Sequence, residues 1–158
     1  MAGKIRGQQI KDDSITGTDV NESTLVLTHF VQLKYTKTDN NNKIYVRIGA
    51  NGSNEIPGVN NKFVAPADGV LKYALIRSTS APGSTVIGLH KASDGTENIS
   101  TSAVQTQTVD LSTANTVVKA TFDSSASFSA NDIIGVSVEP TNVHGNVNLA
   151  LVLELQPF

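Results

Sequence analysis

The sequence predicts an all-β fold: an antiparallel β-sandwich of the jelly-roll kind over residues 26–158, preceded by an extended N-terminal arm over residues 1–25. Three observations predict it. Charged residues make up only 16% of the chain, and Thr, Ser, Asn, Val and Gly take their place, a bias that suits strands and turns over helices. From Leu27 onward, short runs with a two-residue apolar period alternate with breaks rich in Gly, Asn, Asp, Ser and Pro, the pattern of a sandwich or barrel. No stretch carries a convincing helical period. An antiparallel sandwich of about eight strands commonly closes as a jelly roll.

The arm comes first. Ile5, Ile10, Ile15, Val20 and Leu25 recur at a spacing of five, which matches neither a helix nor a strand. Ile5–Ser14 and Ile15–Thr24 share one frame: apolar, x, Gly, two polar residues, apolar, then a polar tail. Isolated apolar anchors between polar stretches cannot bury a core of their own. Two readings remain, a disordered tail and an extended arm that orders against another subunit. The regular anchors favour the arm, with Ile5, Arg6, Ile10, Ile15, Val20 and Leu25 as its partner-binding residues.

The strands follow in order. Residues 27–36 form the first, with Leu27, His29, Val31, Leu33 and Tyr35 on one side. Residues 38–42 make a turn or loop. Residues 43–48 form a second strand, in which Ile44, Val46 and Ile48 share a face. Residues 49–61, rich in Gly and Asn, read as a surface loop. Residues 63–77 organise the rest: a short strand, a turn and a long strand. Pro66 lacks an amide to donate and marks where ladder pairing stops. Asp68-Gly69 is the expected turn, supplying positive φ. Beyond it, Leu71, Tyr73 and Leu75 are the expected core face.

Residues 80–83 form another turn. Residues 85–91 read as a strand broken at Gly88, where a bulge is expected. Residues 93–96 turn again. Residues 104–111, 116–122 and 133–139 are further strands, the last alternating through Ile134, Val136 and Val138. After a loop at 141–146, Val147, Leu149, Leu151, Leu153 and Leu155 form a terminal strand.

Composition excludes several functions. With 158 residues the chain has the size of one ordinary domain. Twelve Lys and Arg against fourteen Asp and Glu leave a formal charge of −2, so no basic excess draws a nucleic acid. No apolar run is long enough to span a bilayer, and no apolar leader segment is expected. Cysteine is absent, which removes disulfides and thiolate chemistry.

No catalytic constellation stands out, and the chain is expected not to be an enzyme and to need no cofactor. His29, His90 and His144 lack metal-ligand spacing and read as ordinary strand or loop residues. Asp12, Asp13 and Asp19 cluster without the regular spacing of a calcium loop and read as solvated turn residues. Asp94 and Glu97 flank a turn, and turn polarity accounts for them. Arg47 and Arg77 have no evident anion partner in the sequence.

Two motifs, Phe63-x-Ala65-Pro66-x-Asp68-Gly69-Val70-Leu71 and Phe128-Ser129-Ala130-Asn131-Asp132-Ile133-Ile134-Gly135-Val136, resemble those of trimeric jelly rolls of the tumour-necrosis-factor and C1q kind. The closing run 149–158 is similar to their last strand. The segment Gln9-Ile10-Lys11-Asp12-Asp13-Ser14-Ile15-Thr16-Gly17-Thr18-Asp19-Val20 resembles the attachment arms of structural proteins in tailed bacteriophages. These resemblances imply a homotrimeric virion protein, made in the host cytoplasm and carried on the outer capsid surface. They imply a capsid decoration, or cement, protein whose arm binds the major capsid protein. A tail-fibre tip or adaptor that binds a host surface glycan is the alternative. A free lectin-like or cytokine-like ligand is a third reading, disfavoured by the missing leader.

Overall fold

A computed structural model of the chain describes residues 26–93 and 95–156. Among them run eleven strands: β1 (Leu27–Lys37), β2 (Ile44–Val46), β3 (Ser53–Asn54), β4 (Phe63–Val64), β5 (Asp68–Ser78), β6 (Gly83–Ala92), β7 (Gln105–Leu111), β8 (Val118–Thr121), β9 (Ser127–Phe128), β10 (Ile133–Pro140) and β11 (Gly145–Gln156). The described residues contain no α-helix, only a 3-10 turn at Val59–Asn61.

The strands form two antiparallel sheets. Sheet A has the order β1-β11-β5-β8, with β9 also on β5. Sheet B has the order β3-β2-β10-β6-β7, with β4 also on β10. The chain passes between sheets from β1 to β2, from β4 to β5, from β5 to β6, from β7 to β8, from β9 to β10 and from β10 to β11. This interleaving is a jelly roll. One apolar core lies between the sheets, built from residues such as Leu71, Ile76, Leu149 and Leu151 of sheet A and Ile44, Ile87, Ile134 and Val136 of sheet B.

The terminal strand behaves as its period predicts. Val147, Leu149, Leu151, Leu153 and Leu155 are all buried, and each such side chain contributes about 1.5–3 kcal/mol. β11 lies in the middle of sheet A, between β1 and β5, with β1 in register from Leu27↔Leu155 to Lys37↔Gly145. Ile134, Val136 and Val138 are buried as their alternation requires. On β1, Leu33 and Tyr35 reach the core, while Leu27 and His29 stay exposed.

Three local expectations are corrected. The core face of β5 is not Leu71-Tyr73-Leu75: the buried residues are Leu71, Ala74, Ile76 and Ser78. Leu71 pairs with Leu153 and Tyr73 with Val152, so Lys72 is an extra residue without a partner on β11. The bulge flips the side-chain phase, because inward and outward positions alternate strictly along a strand. Asp68-Gly69 is no turn either. Both residues open β5, and the bend falls earlier, at Pro66-Ala67, where the chain crosses from sheet B to sheet A. Gly69 serves close packing instead, since a Cβ there would lie 2.8 Å from the Phe128 ring.

Gly88 marks no bulge. β6 keeps one register with β10 and with β7 straight through it. A Cβ at Gly88 would sit 2.9 Å from Ser137 Oγ and 3.2 Å from Ala103 Cβ. The glycine clears space on the outside of sheet B rather than bending it.

Candidate functional site

The outer faces of the two sheets are treated in opposite ways. Sheet B is covered by the chain itself, through the connection from β6 to β7 at residues 96–104. Gly88 and Gly135 leave a low patch on β6 and β10, and Ile99 sinks into it to 3% exposure. A Cβ at Gly135 would meet Asn61 O at 2.3 Å and Ile99 Cδ1 at 2.7 Å. The cover is tied down by Val104 N–H to Leu89 O at 2.7 Å and Ser100 N–H to Lys91 O at 3.2 Å. Lys62 Nζ donates to Asn98 Oδ1 at 2.9 Å.

Two histidines are fully buried. His90 holds the cover. Its Nδ1 lies 2.9 Å from Ser100 O, an acceptor, so Nδ1 carries the proton. Its Nε2 then accepts from the Ser137 hydroxyl at 2.8 Å. Burial pushes the His90 imidazole down to about 4, opposed by the bond to Ser100 and aided by the charge of Lys43. His144 lies elsewhere and joins β1 to the loop before β2. Its Nε2–H donates to Asn42 O, and its Nδ1 accepts from the Tyr35 hydroxyl, both at 2.9 Å. Burial lowers the His144 pKa and holds the Tyr35 phenol above its usual range. Both nitrogens of each ring are thus committed to structure, with none left to act on a substrate. No buried side-chain nitrogen or oxygen among the described residues lacks a partner.

Among the described residues, sheet A carries no such cover. Three of its outward lateral rows across β1, β11, β5 and β8 matter here. Phe30, Val152, Tyr73 and Thr121 form the first; Gln32, Ala150, Leu75 and Lys119 the second; Lys34, Asn148 and Arg77 the third. The first row is apolar at the end where residues 1–25 join the sandwich. Phe30 is 63% exposed there, on the same face as exposed Val26. Lys119 Nζ stands 4.1 Å over the Tyr73 ring, a cation–π contact.

The second and third rows floor a groove of about 800 Å³. The loop at Gly49, Ala50 and Asn51 walls one side, and Val117 borders it as well. That loop is fixed to β1 by a bridge between Asn51 and Lys34 and by Gly52 N–H to Lys34 O at 3.2 Å. Arg77 is held by Asn115, with Nε donating to Asn115 O at 3.2 Å and Nη2 to Asn115 Oδ1 at 2.8 Å. Asn115 has a φ of 64° and its own N–H donates to Ser78 O at 2.7 Å. Among the described residues, no carboxylate pairs with Lys34, Arg77 or Lys119; the ion pairs there use Lys37, Lys72 and Lys91.

The partner-binding residues read from the sequence, Ile5, Arg6, Ile10, Ile15, Val20 and Leu25, lie outside the described residues, as do Asp12, Asp13, Asp19 and Asp94. Glu97 is exposed. Among the described residues no cluster of three or more His, Asp and Glu could hold a metal ion, and no helix is long and apolar enough to cross a membrane. Sequence reasoning missed the groove and both histidine pins. Their signal is long-range: Asn115 and Arg77, or His90 and Ser137, meet only once the sheets form. The chain matches no protein-family model, no curated protein and no solved structure.

Proposed function

We propose that the chain is a capsid decoration, or cement, protein of a tailed bacteriophage, a homotrimer on the outer surface of the head. Its N-terminal arm binds the major capsid protein through Ile5, Arg6, Ile10, Ile15, Val20 and Leu25, and the sandwich projects outward. One observation carries this reading. In sequence the spaced anchors of residues 1–25 lead into exposed Val26 and Phe30, which share the outer face at the start of edge strand β1. Isolated apolar patches of this kind on a soluble domain mark interaction surfaces. Each arm alone binds weakly, because ordering it costs about 1–2 kcal/mol per residue. Three arms on one trimer act together by avidity.

The test is a titration of Ile10→Asp and Ile15→Asp on decoration-free heads, beside a thermal melt of each variant. The reading expects strongly weakened binding and an unchanged melting temperature. Unchanged binding, or a lowered melting point, overturns the arm's assignment. Light scattering tests the trimer, which has a mass near three times the 16.6 kDa of the chain; a stable monomer at micromolar concentration counts against it. A second reading, a tail-fibre tip or adaptor that binds a host glycan, is favoured by the groove on sheet A. Binding of the protein to tailless heads separates the two.

A further inference from the structure

We propose that the groove across β1, β11 and β5 is a binding site for an acidic saccharide, one bearing a carboxylate or sulfate. The inference goes beyond the capsid reading and requires of it only that the trimer leave the outer face of sheet A open.

Four features argue for it. The first is charge. Lys34 and Arg77 flank Asn148 in one row, and two strand spacings put their backbones about 10 Å apart. Lys119 ends the next row. Lys34 and Arg77 thus line the groove with no carboxylate partner among the described residues, while Lys119 lies outside its lining, over the Tyr73 ring.

The second is preorganisation. Asn115 holds Arg77 by two hydrogen bonds, from a left-handed backbone that asparagine adopts more readily than other residues with a side chain. Those bonds use two of the five guanidinium N–H groups and leave three, a planar set suited to a carboxylate or sulfate. The third is the set of amides. Gln32, Asn51 and Asn148 line the same groove, and each offers donors and an acceptor to sugar hydroxyls.

The fourth is the floor. Half-buried Leu75 and Ala150, with exposed Val117 at the border, give an apolar surface for the C–H face of a sugar ring. A site of this volume with few polar groups over an apolar floor has the build of a small-ligand site. An acidic peptide offers the same charge and is the competing occupant that the experiment separates.

The experiment is calorimetric titration of the full chain with 3′-sialyllactose and with a sulfated disaccharide. Lactose is the neutral control, sodium sulfate the free anion and poly-glutamate the acidic peptide. Saturable binding of an acidic saccharide, well above lactose and sulfate, is expected. Arg77→Gln and Lys34→Gln should each weaken it roughly tenfold, the scale of one charge-assisted contact. Asn115→Gly relieves the backbone and releases Arg77, so affinity should fall while the melting temperature holds or rises. Lys43→Gln, on the other sheet, should change nothing. The proposal is overturned if neither acidic saccharide binds, if sulfate or poly-glutamate binds as tightly as the saccharide, or if Arg77→Gln and Lys34→Gln both bind like the parent. None of these outcomes touches the capsid reading, which is tested on heads with arm variants.

Discussion

The Asp68 carboxylate accepts the backbone N–H of Ala130 at 2.8 Å. This bond joins the two segments that the sequence singles out as motifs, which lie about sixty residues apart. They touch again where Asn131 N–H donates to Ala65 O at 2.9 Å and Ala65 N–H to Asp132 O at 2.8 Å. Asp132 then accepts the N–H of Ser129, closing a turn in which Asn131 takes a φ of 70°. The two motifs are one corner of the sandwich.

Removing that bond has a defined cost. Asp68→Ala is expected to lower stability by about 1–2 kcal/mol, since a charged acceptor is lost from a backbone donor at the surface. Asp68→Asn, which keeps an acceptor oxygen, should lose less. Urea denaturation of the three proteins checks the order.

The bulge at Lys72 gives a sharper contrast. If the phase of β5 flips there, Ile76 is a core residue and Leu75 a surface one. Ile76→Ala should destabilise by about 2–5 kcal/mol, and Leu75→Ala by less than about 1 kcal/mol. The reverse ranking in urea melts would mean that the strand runs without a bulge.

Glycines under the cover of sheet B should resist substitution. Gly135→Ala forces a Cβ into Asn61 O and Ile99, and Gly88→Ala forces one against Ser137 and Ala103. Overpacking of this kind costs about 1–3 kcal/mol. Hydrogen exchange should show the damage locally, with faster exchange at the N–H groups of Ser100 and Val104 that fix the cover. Uniform exchange across the sandwich would place the strain elsewhere.

Stability should fall in acid. The folded His90 titrates at about 4, against an ordinary value of 6.5. Between those values the unfolded chain binds a proton that the folded chain refuses. The stabilisation is therefore present above about pH 6.5 and is lost as pH falls toward 4, by roughly 2–3 kcal/mol. Lowering of His144 acts with the same sign. A His90→Gln variant should have a flatter stability profile over this window, measured as urea midpoints at several pH values. A parent protein whose midpoint does not move between pH 7 and 4 would contradict the burial of both rings.

Much of this fold was legible because one face of most strands is uniformly apolar. β10 and β11 could be read residue by residue from their alternation. β5 could not, because the inserted Lys72 is invisible to a pattern that counts by twos: Leu71, Tyr73 and Leu75 look like a face and are divided by the bulge. Gly88 misled for a related reason. A glycine in a strand signals either a bend or a close approach, and only the position of Ser137 and Ala103 tells which. The histidines lay beyond reach, since what fixes His90 is a carbonyl ten residues on and a hydroxyl on another strand. The groove was legible only as Arg77 without an anion in sight. The row that joins it to Asn148 and Lys34 exists because β11 returns between β5 and β1.

That return has a consequence for how the protein is made. Among the described residues, β1 has β11 as its only full-length neighbour in sheet A, with Leu27 opposite Leu155. A ribosome adding about 5–20 residues per second therefore leaves β1 without its ladder for on the order of 10 s. During that interval the nascent chain offers an unpaired strand, with Val26, Leu27 and Phe30 at one end, to every other copy on the same message. Lys34 and Lys37 sit at the other end of that strand, and charges there discourage pairing with the wrong edge. Sheet A closes only when the β11 segment emerges, so the edge that adjoins the arm is among the last features of the domain to mature.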